Sequence, residues 1–217
     1  SKFKKSLLIS ADGFGDFAST VAAVGDQANI KVFNKVLFPH SLGIFYQAFT
    51  QFLGFKNYGD EYKVMGLAPY GRPTYLNSLK NFLSINTDGR FSLNQKYIYW
   101  EKNISKNVEG SPSIYTHFRN DLEDLLGKKR LPGEVIEQRH RDIARSLQDL
   151  YESAFFNLLN KVYEDYKIKE LCIAGGCGSN SVANGKITSK TPFESVYIHP
   201  SPGDSGGGLG AALAIWN

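Results

Sequence analysis

Two aspartates in this 217-residue sequence are each flanked by glycines, Asp12 within ADGFGD and Asp204 within PGDSGGG. A carboxylate is a good metal ligand, and the backbone amides beside glycines can approach a phosphate closely. The two acidic segments therefore indicate a site for a phosphate and a metal ion. The glycines predicted to line the cofactor are Gly13, Gly15, Gly203 and Gly206. Two simpler interpretations stay open, because Asp-Gly pairs are common in hairpin turns and Asp204 is placed to cap a helix.

A third glycine-rich segment follows an apolar run, in LCIAGGCGSN from Leu171 to Asn180. The apolar run predicts a buried strand, and paired glycines at a strand end let the chain turn tightly beside a flat or charged ligand. We expect Gly175, Gly176 and Asn180 to contact the cofactor. An ordinary turn from a strand to a helix would have the same sequence pattern. Because ligands of open α/β sheets lie at the carboxyl ends of strands, all three segments are expected to meet at one end of one sheet.

The elements that must position these segments follow the order β-β-β-α, an insertion, then α-β-α-β-α. Short glycine and Asx turns join the first three predicted strands, which is typical of an antiparallel meander. The main strands are predicted at 6–10, 17–24, 30–38, 171–174 and 195–199, and the main helices at 41–53, 135–166, 181–190 and from about 205 onward. The less regular segment at about 72–133 predicts helices at 75–83 and 116–126, a hairpin at 83–93 and a strand at 97–100.

Strands that alternate with helices after a meander favour the α/β class, with a mixed five-stranded sheet flanked by helices. This order is similar to one lobe of the ribonuclease H-like fold that actin, sugar kinases and Hsp70 share. We therefore interpret residues 1–217 as one such lobe, which carries an inserted α+β segment at about 72–133.

Composition argues against several classes of protein. A content of 42% hydrophobic residues supports a full core, and the net charge of +4 is scattered rather than gathered in the basic stripe typical of nucleic-acid binding. No apolar run is long enough for a membrane span, and no signal-peptide pattern is present. The two cysteines, Cys172 and Cys177, lack metal-site spacing and are few, which favours the cytoplasm. Both ends of the sequence are abrupt, so we expect a fragment of a longer protein.

Six segments give the chain a specific resemblance to a known family. In order they are ADGFGDFAST, FPHSLGIFYQAFTQFLGF, DEYKVMGLAPYG, HRDIARSLQ, AGGCGSNSVANGKI and HPSPGDSGGGLGAAL. With these segments the chain resembles the O-carbamoyltransferases of nodulation and antibiotic pathways, the NodU and CmcH type. The resemblance places it in the C-terminal lobe of their actin-like domain, and residues 75–133 match weakly.

This resemblance implies an enzyme that transfers a carbamoyl group to a hydroxyl of a sugar, an antibiotic or a Nod factor. Carbamoyl phosphate and ATP give a carbamoyl-adenylate, which the actin-like domain uses as donor. The resemblance also implies a divalent or ferric metal, iron in a related structure, with carboxylate ligands that map onto Asp12 and Asp204. Its histidine ligands belong to an upstream lobe and its adenylate is formed in a downstream domain, and both regions are missing from this sequence.

The chain departs from the family pattern at GGCGSN, which stands where many members have GGVALN, although the paired glycines and Asn180 remain. The four histidines do not supply the HxxxH spacing of the missing metal ligands; they are His40, His117, His140 and His199. Two catalytic candidates remain, His40 as a base for the acceptor hydroxyl and Lys63 facing a phosphate. A histidine bonded at a turn and an exposed loop lysine are their simpler interpretations.

Other functions stay open. A small-molecule kinase of the same superfold would share the glycine loops but would turn ATP into ADP. A relative that modifies tRNA with threonylcarbamoyl is less favoured, because the PHSLG and VMGLAPYG segments fit the O-carbamoyltransferases better. A nucleotide-binding module without catalysis is a further alternative. We expect the isolated piece to be inactive, because one wall of its cleft is missing, and we expect that its cut edge could drive homo-oligomer formation.

Overall fold

A computed structural model describes residues 1–15, 17–98 and 116–216 of the chain. These residues divide into two compact units. The first unit comprises Ser1–Gly43, Ile85–Phe91 and Ser153–Asn217, and the second comprises Ile44–Ser84 and Ser92–Glu152. The boundaries fall within two helices, α1 (Leu42–Phe52) and α5 (Gln138–Tyr166), so each of these helices contributes residues to both units.

The first unit is built on a five-stranded sheet. Numbered along the chain, its strands are β1 (Lys5–Gly15), β2 (Ala18–Asp26), β3 (Asn29–Leu37), β6 (Glu170–Ala174) and β7 (Ser195–Ile198), while β4 (Leu83–Ile85) and β5 (Phe91–Leu93) form a separate hairpin. The order across the sheet is β3-β2-β1-β6-β7. The first three strands are antiparallel neighbours, whereas β6 pairs parallel with β1 and β7 pairs parallel with β6. The predicted meander and mixed five-stranded sheet are therefore confirmed.

The pairing of β1 with β6 fixes where both strands end. Leu7 pairs with Leu171 and Ile9 with Ile173, and all four side chains are buried in the core of the unit. Parallel strands in this register have their carboxyl ends at the same edge of the sheet. The segments that follow β1 and β6 therefore emerge side by side, although the two strands are far apart in the sequence.

The C-terminal helices of the first unit are shorter than predicted. The helix expected at 181–190 is divided into α6 (Ser181–Asn184) and α7 (Ile187–Lys190), and Gly185 lies between them. A 3-10 helix, Asp204–Gly206, precedes α8 (Gly207–Trp216), so the last α-helix begins two residues later than expected. Within the part of the chain that the structure describes, no helix is long and apolar enough to cross a membrane.

The second unit is mainly helical, and most of α1 lies in it. Its other helices are α2 (Glu61–Leu67), α3 (Leu76–Leu79), α4 (Asp121–Leu126) and the N-terminal half of α5. Gly54 ends α1 as predicted, with a φ of +80°. The Phe55 amide donates to the Thr50 carbonyl at 3.1 Å and the Gly54 amide to the Gln51 carbonyl at 2.9 Å, which is the Schellman pattern of a helix C-terminus.

Strand pairing shortens two other predicted helices. The helix expected at 75–83 ends at Leu79, because the Phe82 carbonyl accepts a hydrogen bond from the Asn94 amide and β4 begins at the next residue. The helix expected at 116–126 begins at Asp121, because Phe118 forms a β-bridge with Ile98. The predicted hairpin is confirmed; of the strand expected at 97–100, the last two residues lie outside the described part. The boundaries of the predicted insertion stay a prediction.

The first turn of α5 contains a buried histidine whose surroundings disfavour a positive charge. His140 Nδ1 accepts a hydrogen bond from the Glu137 amide at 3.0 Å, and a guanidinium nitrogen of Arg139 lies 3.0 Å from Nε2. Burial, followed by the charge of Arg139, lowers the pKa of His140 from its usual value. Arg130 acts in the same direction, whereas the carboxylates of Glu137 and Glu134 oppose it.

This environment predicts a loss of stability in acid. The unfolded chain takes up a proton at His140 near the ordinary histidine pKa of about 6.5, and the folded chain does so only at lower pH. The free energy of unfolding should therefore fall as the pH decreases from 7 towards 5. Urea denaturation across this range should show a flatter dependence in His140→Gln, and an unchanged dependence in that variant would contradict the assignment.

Candidate functional site

Asp12 lies where β1 leaves its regular pairing with β2. The register of the two strands shifts between Ala11 and Gly15, so the residues between them do not follow the strand alternation. The Asp12 carboxylate accepts a hydrogen bond from the Gly13 amide at 2.7 Å and another from the Gly176 amide at 3.0 Å. The aspartate therefore connects the end of β1 with the loop after β6.

Gly175 brings the third segment into the same place. It has a φ of +86°, a conformation that favours glycine, and its amide donates to the Pro202 carbonyl at 2.7 Å. A Cβ on Gly175 would lie 2.6 Å from the Ala11 carbonyl carbon and would overlap its oxygen. A Cβ on Gly203 would have Gly176 as its nearest neighbour, at 3.8 Å. The expected meeting of the three glycine-rich segments at one end of the sheet is confirmed, and we call it the strand-end cluster.

The segment after β7 completes this cluster with a compact turn. Asp204 is the first residue of the 3-10 helix Asp204–Gly206, and the N-cap of that turn is Gly203. The Gly206 amide donates to the Gly203 carbonyl at 2.9 Å, and a Cβ on Gly206 would overlap the Ser201 carbonyl. Asp204 itself is exposed. Its carboxylate is thus presented at the surface of the cluster, and it is not the N-cap residue of this turn.

The loop between β3 and α1 and the first turn of α1 each supply a positioning residue that no motif in the sequence had indicated. The Ser41 hydroxyl donates to the Asp12 carbonyl at 2.9 Å, and Ser41 is fully buried. A Cβ on Gly43 would lie 2.6 Å from the Gly13 nitrogen, so only glycine lets the start of α1 approach this closely. Both residues belong to the PHSLG segment, whose small residues at a loop-to-helix junction are the signal that could have indicated them.

His40 lies in the same loop as Ser41. The Ser19 hydroxyl is within hydrogen-bonding distance of the His40 and Val36 carbonyls, which ties the loop to the sheet. Burial lowers the pKa of the His40 imidazole, and this favours the neutral form that a general base requires. The structure therefore places His40 in the loop that positions Asp12, while its catalytic role stays a prediction.

Lys63, the other catalytic candidate, belongs to the second unit. Its ammonium group lies 2.6 Å from the carboxylate of Asp60, which is buried, and this hydrogen bond raises the pKa of Lys63. The ammonium group also lies 5.8 Å from the ring centres of Phe55 and Tyr62. These contacts give Lys63 a structural role within its own unit, and its predicted contact with a phosphate stays a prediction.

Asn180 has a defined structural role next to the cluster. It is the N-cap of α6, where its side-chain oxygen accepts a hydrogen bond from the Ala183 amide at 3.0 Å. The Asn184 side chain donates to the Gly178 carbonyl at 2.7 Å. Both asparagines fix the glycine loop to the helix that follows it, and the predicted contact of Asn180 with a cofactor stays a prediction.

Asp12 and Asp204 are the side chains of the strand-end cluster that are predicted to hold a metal ion. Among the described residues, no three histidine, cysteine or acidic side chains lie close enough together to hold a metal ion. Each Asp12 oxygen accepts one amide and keeps a second lone pair, so the group fits a hard or borderline cation as a single ligand. Asp204 adds a second carboxylate at the surface of the cluster.

Comparison with known proteins gives consistent results along the whole chain. The family profile described as Carbamoyltransferase N-terminus matches residues 1–213. An uncharacterized Synechocystis protein, sll1178, is 38% identical over 100% of this chain and 34% of its own length. The nodulation protein NolNO of Sinorhizobium fredii is 33% identical over 100% of the chain and 29% of its own length. For the nodulation protein NolO of Bradyrhizobium diazoefficiens the identity is 33%, over 99% of the chain and 35% of its own length. The chain thus spans about a third of the length of these relatives.

Proposed function

Because this chain belongs to the carbamoyltransferase family, we propose that it is part of an ATP-dependent O-carbamoyltransferase. The observation that carries the proposal is the strand-end cluster, where the Asp12 carboxylate accepts hydrogen bonds from the amides of Gly13 and Gly176. The carboxyl ends of strands are where open α/β sheets bind their ligands. The cluster presents the Asp12 carboxylate, which suits a cation, beside glycine-rich turns that let a phosphate approach the backbone closely.

The proposed roles follow from the position of each residue. The glycine segments of the cluster would lie against the phosphate of a carbamoyl-adenylate, because turns without side chains let a phosphate approach the backbone closely. Asp12 and Asp204 would hold a metal ion, which the family resemblance implies is iron. When bound, this ion would polarise the carbamoyl carbonyl. Ser41 and Gly43 would keep Asp12 and Gly13 in place, because they pack directly against the backbone of these residues.

The proposed reaction is an acyl transfer. The oxygen of an acceptor hydroxyl attacks the carbamoyl carbon, and the bond from that carbon to the adenylate phosphate oxygen breaks. AMP leaves with the electron pair of this bond, and the proton of the hydroxyl passes to a base. His40 is our candidate for this base, since burial lowers the pKa of its imidazole.

The remaining parts of the proposal concern the longer protein. The sheet order and the two parallel strands after the meander support one lobe of a ribonuclease H-like domain. Relatives about three times as long as this chain support a protein in which other segments supply the second wall of the cleft, the histidine ligands and the domain that forms the adenylate. We propose a hydroxylated small molecule as acceptor and carbamoyl phosphate as carbamoyl source, and we expect the isolated chain to be inactive.

Identification of the nucleotide product tests this proposal. The full-length protein is incubated with ATP, carbamoyl phosphate and a mixture of hydroxylated sugars, and the nucleotides are separated by chromatography. We expect AMP and pyrophosphate, formed only when carbamoyl phosphate is present. Formation of ADP without any need for carbamoyl phosphate would overturn the proposal in favour of a kinase.

A further inference from the structure

Three exposed phenylalanines form a cluster beside Asp12. Phe14 lies between Phe17 and Phe38, with ring centres 6.0 Å and 5.1 Å away and interplanar angles of 78° and 85°. The exposed fractions of the three side chains are 54%, 75% and 37% respectively. Large aromatic side chains usually supply core or interface contacts, so a group of them in solvent indicates a binding surface.

The backbone beneath these rings is held in an uncommon conformation. Phe17 has a φ of +67°, in the left-handed region that a bulky side chain rarely adopts. The Phe38 amide donates to the Phe17 carbonyl at 2.9 Å, which connects the residue before β2 with the residue after β3. The side chain of Phe17 is exposed, so burial of its ring does not explain this conformation. Strained residues of this kind concentrate at functional sites.

The cluster is continuous with the strand-end cluster. Phe14 follows Gly13, the residue whose amide donates to the Asp12 carboxylate. Gly13 is in turn packed against Gly43, so the backbone that carries Phe14 is fixed on the side of α1. A ligand that rests on Phe14 would therefore lie next to the backbone segment that binds the Asp12 carboxylate.

We propose that Phe14, Phe17 and Phe38 form a stacking platform for a pyranose or cyclitol ring of the carbamoyl acceptor. The apolar C–H face of such a ring packs on phenyl groups, and its hydroxyl edge is left to face Asp12. Phe14 is near-perpendicular to both Phe17 and Phe38, so each of these two pairs offers a corner that suits a puckered ring. This inference rests on the proposed function, because that function supplies the hydroxylated acceptor.

Binding of a defined ring to the full chain tests the platform directly. The chain is labelled with 13C at its phenylalanine rings and titrated with methyl β-D-glucopyranoside, with the open-chain polyol sorbitol, and with AMP. We expect saturable upfield shifts of the Phe14, Phe17 and Phe38 rings with the pyranoside, and no shift of these rings with sorbitol. Shifts of the same rings with AMP alone, or no shift with the pyranoside, would overturn the proposal.

Variants separate the platform from a general apolar surface. Phe14→Leu keeps an apolar side chain of similar size but removes the ring face, and it should weaken pyranoside binding about tenfold. Ile30→Ala removes another apolar side chain of the same sheet, 69% exposed, and should leave binding unchanged. Self-association of the chain that disappears in Phe14→Leu, without pyranoside binding, would show instead that a second copy covers the rings.

Kinetics of the full-length protein distinguish failure of the platform from failure of the proposed function. Once an acceptor has been identified, Phe14→Leu should raise the KM for that acceptor about tenfold and leave the KM for carbamoyl phosphate unchanged. Carbamoyl transfer with an unchanged acceptor KM would refute the platform alone. Pyranoside binding by the rings, without any carbamoyl transfer, would refute the proposed function and leave a ring-binding site.

Discussion

Asp12→Asn in the full-length protein is expected to abolish metal retention and to lower the rate of carbamoyl transfer at least about a hundredfold. The carboxylate accepts the Gly13 and Gly176 amides, and it is the group in the cluster best placed to bind a cation. An asparagine presents one oxygen and one NH₂ group, so the backbone amide of either Gly13 or Gly176 would face an NH₂ group instead of an acceptor. The folded state should lose only about 1 kcal/mol, because the side chain is part-exposed. Metal analysis, transfer rates and thermal unfolding measure the three effects.

Asp26→Asn is the matched control for this variant. Asp26 ends β2 of the same sheet, and its exposed carboxylate lies 3.8 Å from the Lys5 ammonium group. Surface ion pairs of this kind contribute little, so activity and metal content should stay at the level of the unmodified protein. Asp204→Asn should lose the metal in the same way as Asp12→Asn. Full metal retention in both the Asp12 and Asp204 variants would end the assignment of these residues as ligands.

Gly175→Ala is expected to destabilise the protein by about 3 kcal/mol. An alanine in the left-handed region costs roughly 1–2 kcal/mol, and overpacking adds about 1–3 kcal/mol. Here the added methyl group would overlap the Ala11 carbonyl, which belongs to the backbone of β1 and cannot rotate away. The junction of β1 and β6 would have to open, and activity should be lost with it. Urea denaturation measures the stability of the variant.

Gly207→Ala, in the glycine-rich C-terminal segment, provides the comparison. A Cβ on Gly207 would meet no atom within 4 Å, and the residue begins α8. Alanine should stabilise this helix by up to about 0.5–1 kcal/mol. Unchanged stability of Gly175→Ala would contradict the close approach of the two strand ends, whatever the result for Gly207→Ala.

Local patterns predicted the sheet and the glycine turns, because both depend on neighbours in the sequence. The apolar run before Gly175 and the Asx turns of the meander were sufficient to predict the strands. The contacts that build the site are long-range: the Gly176 amide reaches Asp12 across 164 residues, and the Ser41 hydroxyl reaches the Asp12 carbonyl across 29. The order of the elements predicted that the three segments meet at one end of the sheet, but no spacing in the sequence indicates which atoms bind one another there.

Two further features illustrate where local reasoning fails. The apolar spacing around Phe82 suits a helix. In the structure its carbonyl instead accepts a hydrogen bond from the Asn94 amide, at the base of the β4–β5 hairpin. Phe17 follows a turn and reads as the start of a strand, yet it has a positive φ that aromatic residues rarely adopt. In both cases tertiary contacts decided between conformations that the sequence alone leaves open.

Hydrogen exchange of the full-length protein tests most directly whether the strand-end cluster is the site of the reaction. Exchange is followed by mass spectrometry with and without ATP, carbamoyl phosphate and the metal. We expect the peptides containing Asp12, Gly176 and Asp204 to become protected together when all ligands are present. Protection confined to other segments, with these three peptides exchanging as they do without ligands, would contradict it.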